Sequence, residues 1–178
     1  MRNRACIRAQ MRRIRIAVCR DCGTMAAMMK RDITTQFGPL TLIEEDGEIT
    51  ALRWGISGRH DASSALDRAA AQLASYDAGD RTGFDLPLRV AGGPLQQAVC
   101  QAMREIPFGE TVTYGDIAKA LGVSAQAVGQ ACGRNPIPII IPCHRVMGAK
   151  GLTGFSGEGG VETKLALLKH EGAGGFPI

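Results

Sequence analysis

Nowhere in the 178 residues does an apolar run approach the ~20 residues that a helix needs to cross a bilayer, so no membrane-spanning helix is expected. The first 28 residues hold no Ser and no continuous apolar stretch. They are Arg-rich and acid-poor like a transit peptide, but the missing Ser counts against one, and the missing apolar core counts against a secretory signal. No second Cys-x-x-Cys and no His-x-x-x-His completes Cys19-Arg-Asp-Cys22 as a zinc site. That pair stays open between half a metal or redox motif and incidental thiols. The six cysteines (6, 19, 22, 100, 132 and 143) suggest no disulfide framework, so a reducing cytoplasm is the expected setting. No repeat or low-complexity tract is visible, and no metal or other cofactor is expected.

Basic charge is scarce across most of the chain. Residues 1–28 carry seven Arg against the single acid Asp21, whereas the other 150 residues carry 14 basic and 16 acidic side chains. The net +4 therefore belongs to the first segment, read as a disordered extension or a start assigned too early, with Met25, Met28 and Met29 as later starts. A nucleic acid would have to be held by local placement of charge, with a shallow salt dependence. What is present is enough for a packed interior: 45% apolar and 21% charged residues, over a length that suits one domain or two small ones sharing a core.

Turn signals at Gly38-Pro39 and Glu45-Asp46-Gly47 bracket short strands over Thr34 to Leu42 and Ile49 to Trp54. Residues 63–76 place Leu66, Ala69, Ala70, Leu73 and Tyr76 on one face of a helix. Residues 29–91 thus read as a small α/β unit. Gly92-Gly93-Pro94 marks the boundary with residues 92–178, which read as helical. There, Leu95, Val99, Ala102, Met103 and Ile106 form a stripe stopped by Pro107-Phe108-Gly109.

Thr113-Tyr-Gly-Asp116 has the form of a capping box, opening a helix through Leu121. Gly122 and the N-cap Ser124 lead to a second helix from about Ala125 to Cys132. Ala118, Gly122 four residues on, and Val128 six beyond suit two helices crossing tightly over a short turn. The second helix carries Ala125, Ala127, Gly129, Ala131 and Gly133, with no basic residue before Arg134. A smooth helix of this kind suits a minor groove better than a major-groove base code. A helix pair packed in a core, without DNA, is the alternative.

Ile137-Pro-Ile-Ile-Ile141 reads as a buried strand leading into Pro142-Cys143-His144-Arg145-Val146. Cys143 differs from the other cysteines in its rigid Pro and its His and Arg neighbours. A thiolate is the nucleophilic form, and cations or a base favour it. In an extended chain His144 points away from Cys143, so a turn or a bridging water is required. Without it the pair is a buried thiol beside a structural histidine. Cys100 and Cys132 read as small buried hydrophobes. A last helix from about Val161 to Lys169 turns Val161, Leu165 and Leu168 to one face, with Gly172 as the residue after its end. Glu171 there is electrostatically unfavourable. It invites a partner such as a protonated His, or is a solvated terminal acid.

The run Gly133-Arg-Asn-Pro-Ile-Pro-Ile-Ile-Ile-Pro-Cys-His-Arg-Val146 resembles the O6-alkylguanine-DNA alkyltransferase family. So do Gly154-Phe-Ser-Gly157, Lys164-Leu-Ala-Leu-Leu-Lys-His-Glu-Gly172 and Ile106-Pro-Phe-Gly-Glu-Thr-Val-Thr-Tyr-Gly115. The likeness covers roughly residues 33–172. It implies an α+β protein: a ribonuclease-H-like α/β unit followed by a helical unit with a winged-helix-like helix-turn-helix. It also implies a monomer acting once on double-stranded DNA that contains O6-alkylguanine, with O4-alkylthymine as a second candidate. Cys143 would accept the alkyl group, and His144 would be its base through a water, oriented by Glu171. Asn135 would brace the turn before the active-site strand. Tyr114 would help rotate the nucleotide out of the stack and protonate the departing guanine. Ser156 would contact the guanine oxygen, and Val146 completes the substrate-binding set. Where the family typically has an Arg early in the recognition helix, this sequence has Gln126, so weaker DNA binding or slower flipping is expected, with Arg134 as a partial substitute. The reading requires Cys143 to be an exposed, activated nucleophile facing a slot that holds a purine. Three rivals are a non-catalytic damage binder, which would lack the Cys, a cysteine hydrolase, which would turn over, and a transcriptional regulator, which would carry base-reading side chains.

Overall fold

A computed structural model describes residues 28–149, 151–152, 154–155 and 157–173. The expectations for Cys6, Cys19, Cys22 and Ser156 lie outside these residues. Strands β1 (Met29–Thr35), β2 (Gly38–Glu45) and β3 (Glu48–Trp54) form an antiparallel sheet in that order. Asp46 (φ 54°) and Gly47 (φ 80°) close the β2–β3 hairpin, the two left-handed positions that an Asp-Gly turn supplies. The first hairpin turns at Gln36-Phe37, earlier than expected, so that Gly38 and Pro39 open β2. A Pro at a strand's start removes little from the ladder. Most of β1 escaped the sequence reading because this edge strand is half-exposed and carries Lys30, Arg31 and Asp32 without apolar alternation.

Helix α1 (Ser64–Asp77) begins where the Ser63 hydroxyl accepts from the Leu66 amide at 3.1 Å. It buries Ala65, Leu66, Ala69, Leu73 and Tyr76, which join Leu40, Leu42, Ile49 and Leu52 of the sheet in one core. Each fully buried Leu or Ile there contributes roughly 1.5–3 kcal/mol. That core does not stop at Gly92-Gly93: it continues through Val99, Met103, Ile117, Val128 and Ile137 to Leu167. The Leu52 amide of β3 donates to the Pro136 carbonyl at 2.9 Å, a backbone tie between the two halves.

Helix α2 (Pro94–Arg104) starts with Pro at its first turn, where a missing N–H costs nothing. Val99, Ala102, Met103 and Ile106 are buried as expected, while Leu95 is exposed. Strand β4 (Val112–Thr113) leads into α3 (Tyr114–Leu121) through the Thr113–Asp116 capping box. Gly122 (φ 69°) ends α3, and the Ser124 hydroxyl caps α4 (Ala125–Gly133). Ala118 and Val128 are buried in the shared core, and α4 packs against both α2 and α3. Strand β5 (Val146–Met147) pairs in parallel with β4, and α5 (Gly160–His170) closes the fold.

Two expectations fail. Residues 137–141 are buried but form turns rather than a strand. Pro136, Pro138 and Pro142 lack the N–H groups that a ladder needs. The chain instead bonds to itself, Ile140 to Pro138 at 2.8 Å and Ile141 to Ile137 at 2.9 Å, with Ile139 forced to φ 69°. A β-branched residue in that region is strained and persists only where its surroundings fix it. On α5, Val161 is exposed and the buried residues are Lys164, Leu167 and Leu168. Apolar periodicity misplaced this face because one of its buried positions is a lysine.

Candidate active site

Cys143 opens a single 3₁₀ turn, Cys143–Arg145, directly after Pro142. The chain there is a turn and not the extended segment in which alternate side chains point apart. The β4–β5 pairing sets Val112 opposite Val146, which brings Tyr114, the first residue of α3, to the same region as the turn. Tyr114 and Cys143 line a cavity of about 280 Å³ together with Gly129, Cys132, Gly133, Gly154 and Phe155. Its size lies near the lower end of the ~300–1,000 Å³ typical of small-molecule sites. Two of its walls are bare backbone at Gly129 and Gly133 of α4, where an added Cβ would meet nothing within 4 Å. Gly157, two residues after the lining residue Phe155, has no room for a side chain, since a Cβ would run into the Phe155 ring and the Trp54 indole.

Cys143 is not the exposed thiol that the sequence led us to expect. Only 5% of it is accessible, and burial pushes its thiol up rather than down. The Asn135 amide and the Lys164 ammonium oppose that shift. The reason is architectural: the turn belongs to the core, and Cys143 lines the wall of the cavity.

His144 is fully buried. Its Nε2 lies 2.8 Å from Glu171 Oε1. Glu171 is held well below the usual carboxylate range, against the pull of burial, by the bonds and charges of His144 and Arg145. An ionised carboxylate only accepts, so Nε2 is the ring's donor and Nδ1 its bare nitrogen. Nδ1 is buried with no hydrogen-bond partner among the described residues. Burial holds the imidazole below its ordinary value and therefore neutral, the state of a base.

Glu171 is the node of the site. Arg145 grips it twice, Nε to Oε2 at 2.7 Å and Nη2 to Oε1 at 2.9 Å, and sends Nη1 to the Ile106 carbonyl at 2.6 Å. Tyr76 Oη donates to Oε1 at 2.8 Å, and the Gly109 amide approaches Oε2 at 3.5 Å. Gly109 has φ 74°, and a Cβ there would come within 2.9 Å of the Glu171 carbonyl, so glycine is required twice over. Glu171 is thus a buried, multiply bonded anion rather than a solvated terminal acid.

Asn135 spans residues 137–141: its Nδ2 donates to the Ile141 carbonyl at 2.7 Å, and its Oδ1 accepts from the Ile137 amide at 3.1 Å. The turn it spans is the proline-rich one, not a strand. Gln126 and Arg134 are exposed on and just after α4, outside the cavity lining. Val146 is fully buried, and its carbonyl accepts from Lys164 Nζ at 2.7 Å. Cys100 and Cys132 are buried, but Cys132 also lines the cavity.

Sequence reasoning assigned no role to Tyr76 or Lys164, and read Arg145 as a cation beside the thiol, whereas its guanidinium is spent on Glu171. Tyr76 closed an apolar stripe, and a buried tyrosine needs a partner for its hydroxyl. Lys164 sits three and four residues before Leu167 and Leu168, on the buried face. Its ammonium is held below its ordinary value by burial, while the Cys143 thiol pulls it back up.

Residues 94–173 match the family model described as 6-O-methylguanine DNA methyltransferase, DNA binding domain. The methylated-DNA–protein-cysteine methyltransferase of Mycobacterium tuberculosis is 43% identical over 152 residues, 79% of this chain and 90% of that one. The constitutive protein of the same name from Bacillus subtilis is 42% identical over 151 residues, 77% of this chain and 91% of that one. Among solved structures, the M. tuberculosis O6-methylguanine methyltransferase superposes with a TM-score of 0.73 at 39% identity, covering 85% of this chain and 97% of that one. A structure of the M. tuberculosis protein in complex with DNA gives 0.73 at 43% identity over 82% and 93%. With such identity sustained over nine-tenths of those relatives' length, this chain belongs to the methylated-DNA–protein-cysteine methyltransferase family.

Proposed function

We propose that the protein repairs DNA directly, moving the alkyl group of O6-alkylguanine in a duplex onto Cys143 in a single irreversible turnover. The observation that carries this reading is Cys143 at the head of a turn, lining a cavity of about 280 Å³, followed by a neutral histidine whose Nε2 is tied to an ionised glutamate. The family's activity supplies the reaction class, and the residues supply the roles.

His144 Nδ1 takes the thiol proton through a water, and Glu171 holds the ring and offsets the positive charge that forms. The Cys143 sulfur attacks the alkyl carbon. An S–C bond forms, the C–O6 bond breaks, and the electron pair passes to the guanine. Tyr114 supplies a proton to the departing base. The thioether is stable, and no step regenerates the thiol. Because the thiol is buried and lines the cavity wall, the damaged nucleotide must leave the stack to meet it. The small-residue face of α4, placed at the cavity rim by Gly129 and Gly133, fits a minor groove. Gln126 fills the space of the extruded base without adding charge, and Ser156 and Val146 belong to the base-holding set. In the same reading residues 29–91 form the ribonuclease-H-like unit and residues 92–178 the winged-helix-like DNA-binding unit of a cytoplasmic monomer. O4-alkylthymine is a second substrate of the same chemistry.

The test is stoichiometry on a duplex with one O6-methylguanine. We expect one methyl per protein, found by mass spectrometry on the Cys143 peptide, and none with Cys143→Ala. Repeated turnover, or label on another residue, would refute the proposal.

A further inference from the structure

Glu171 Oε1 accepts three donors: Tyr76 Oη at 2.8 Å, His144 Nε2 at 2.8 Å and Arg145 Nη2 at 2.9 Å. Two of them come from the turn that carries the nucleophile. The third comes from α1, 95 residues away in sequence and on the far side of Gly92-Gly93. Tyr76 has few other positions to take. It is 1% exposed, its ring packs on Phe84 at 5.4 Å and His170 at 5.0 Å, and its carbonyl lies 2.7 Å from His170 Nε2. Burial and the adjacent Glu171 charge push its phenol up, so the hydroxyl keeps its proton and can only donate to that oxygen.

We infer that Tyr76 is a positioning residue for alkyl transfer, its hydroxyl fixing the Glu171 oxygen that in turn holds His144. This rests on the proposed function above. Two effects follow from the geometry. With the oxygen held by Tyr76 from the α1 side and by Arg145 from the turn, it meets the imidazole as a fixed acceptor at Nε2, which keeps Nδ1 as the bare nitrogen. The hydroxyl also draws off part of the carboxylate charge. A less shielded Glu171 would stabilise the imidazolium and make His144 harder to keep neutral. The other charges acting on His144 are Arg145 and Lys164, both opposing its protonation, and neither is altered by a change at Tyr76. The Cys143 thiol lies on the same turn. Asp77 and Arg145 are the other charges acting on Tyr76.

The experiment is single-turnover transfer from an O6-methylguanine duplex by the full chain, across pH, for wild type and Tyr76→Phe. The Phe variant should react about tenfold more slowly at neutral pH, the lower end of what losing an outer hydrogen-bond partner costs where a histidine must be held in one tautomer. Its acid limb should move up by ~0.5–1 pH unit, while affinity for undamaged duplex stays that of wild type. Phe84→Leu, which loosens the packing of the same ring but leaves the hydroxyl, should lower the melting temperature without moving the limb. Should Tyr76→Phe fold poorly, 3-fluorotyrosine placed at position 76 gives the opposite sign: a stronger donor moves the limb down. An acid limb that stays put in whichever of the two folds overturns the inference, whatever happens to stability. A wild-type protein that transfers no methyl group would instead sink the proposed function, so the two failures are distinct.

Discussion

Five donors from three separate segments converge on the Glu171 carboxylate, whereas the exposed side of α4 carries Gln126 and Gln130 and no charge before Arg134. The first region is dry and over-constrained. The second is wet, small and permissive. Charges taken out of water must be fully paired, so every member of the buried set depends on the others. Side chains at a solvated surface are screened and can change one at a time. The buried cluster is therefore fixed from within, and under the proposed function DNA would meet a surface that has little to lose.

Glu171→Gln should break the comparison most severely. It strands the Arg145 guanidinium in the core, and removing one partner of a buried pair costs about 3–5 kcal/mol. Urea unfolding should show that loss, and transfer should fall by about 100-fold or more as His144 loses its orienting anion. A variant within about 1 kcal/mol of wild type would mean that the node is not structural. Lys164→Met comes next. It keeps the length of the side chain but removes the cation that favours the Cys143 thiolate, so the thiol should titrate higher and transfer should slow about tenfold, with a loss of about 1–3 kcal/mol because the Val146 carbonyl loses this donor. Unchanged thiol reactivity across pH would remove Lys164 from the site. The smallest effect is expected from Gln126→Arg. One added phosphate-range cation should steepen the logarithmic salt dependence of duplex binding by about 0.9 and raise affinity several-fold, while reaction with a free O6-alkylguanine base stays the same. An identical salt slope and repair rate would show that position 126 does not meet DNA.

The same division governs what could be read in the sequence. The capping box at Thr113–Asp116, the left-handed Gly122, the Asp46-Gly47 hairpin and the α1 stripe are local devices, and local spacing exposes them. Cys143 and His144 were legible as a motif, and Glu171 as a misplaced charge at a helix end. The rest depends on contacts far apart in the chain. Tyr76 and Lys164 carry no local mark of function; each was hidden in a face that periodicity reads as apolar or exposed. The run 137–141 misled for the opposite reason. Its isoleucines signal a strand, but three prolines remove the donors, and the segment can exist only because Asn135 and the core hold it. The burial of Cys143 was equally invisible, since the environment of a thiol is a property of the packed molecule.

The uninterrupted interior from Leu40 to Leu167 bears on where this protein could be cut. A polypeptide begun at Pro94 would retain every residue matched by the DNA-binding family model, including Cys143, His144 and Glu171. It would also turn part of its oily side to solvent and leave the carboxylate one donor short. The repair machinery is thus not a detachable module with an ornamental leader. The amino-terminal sheet and helix are the other half of its socket.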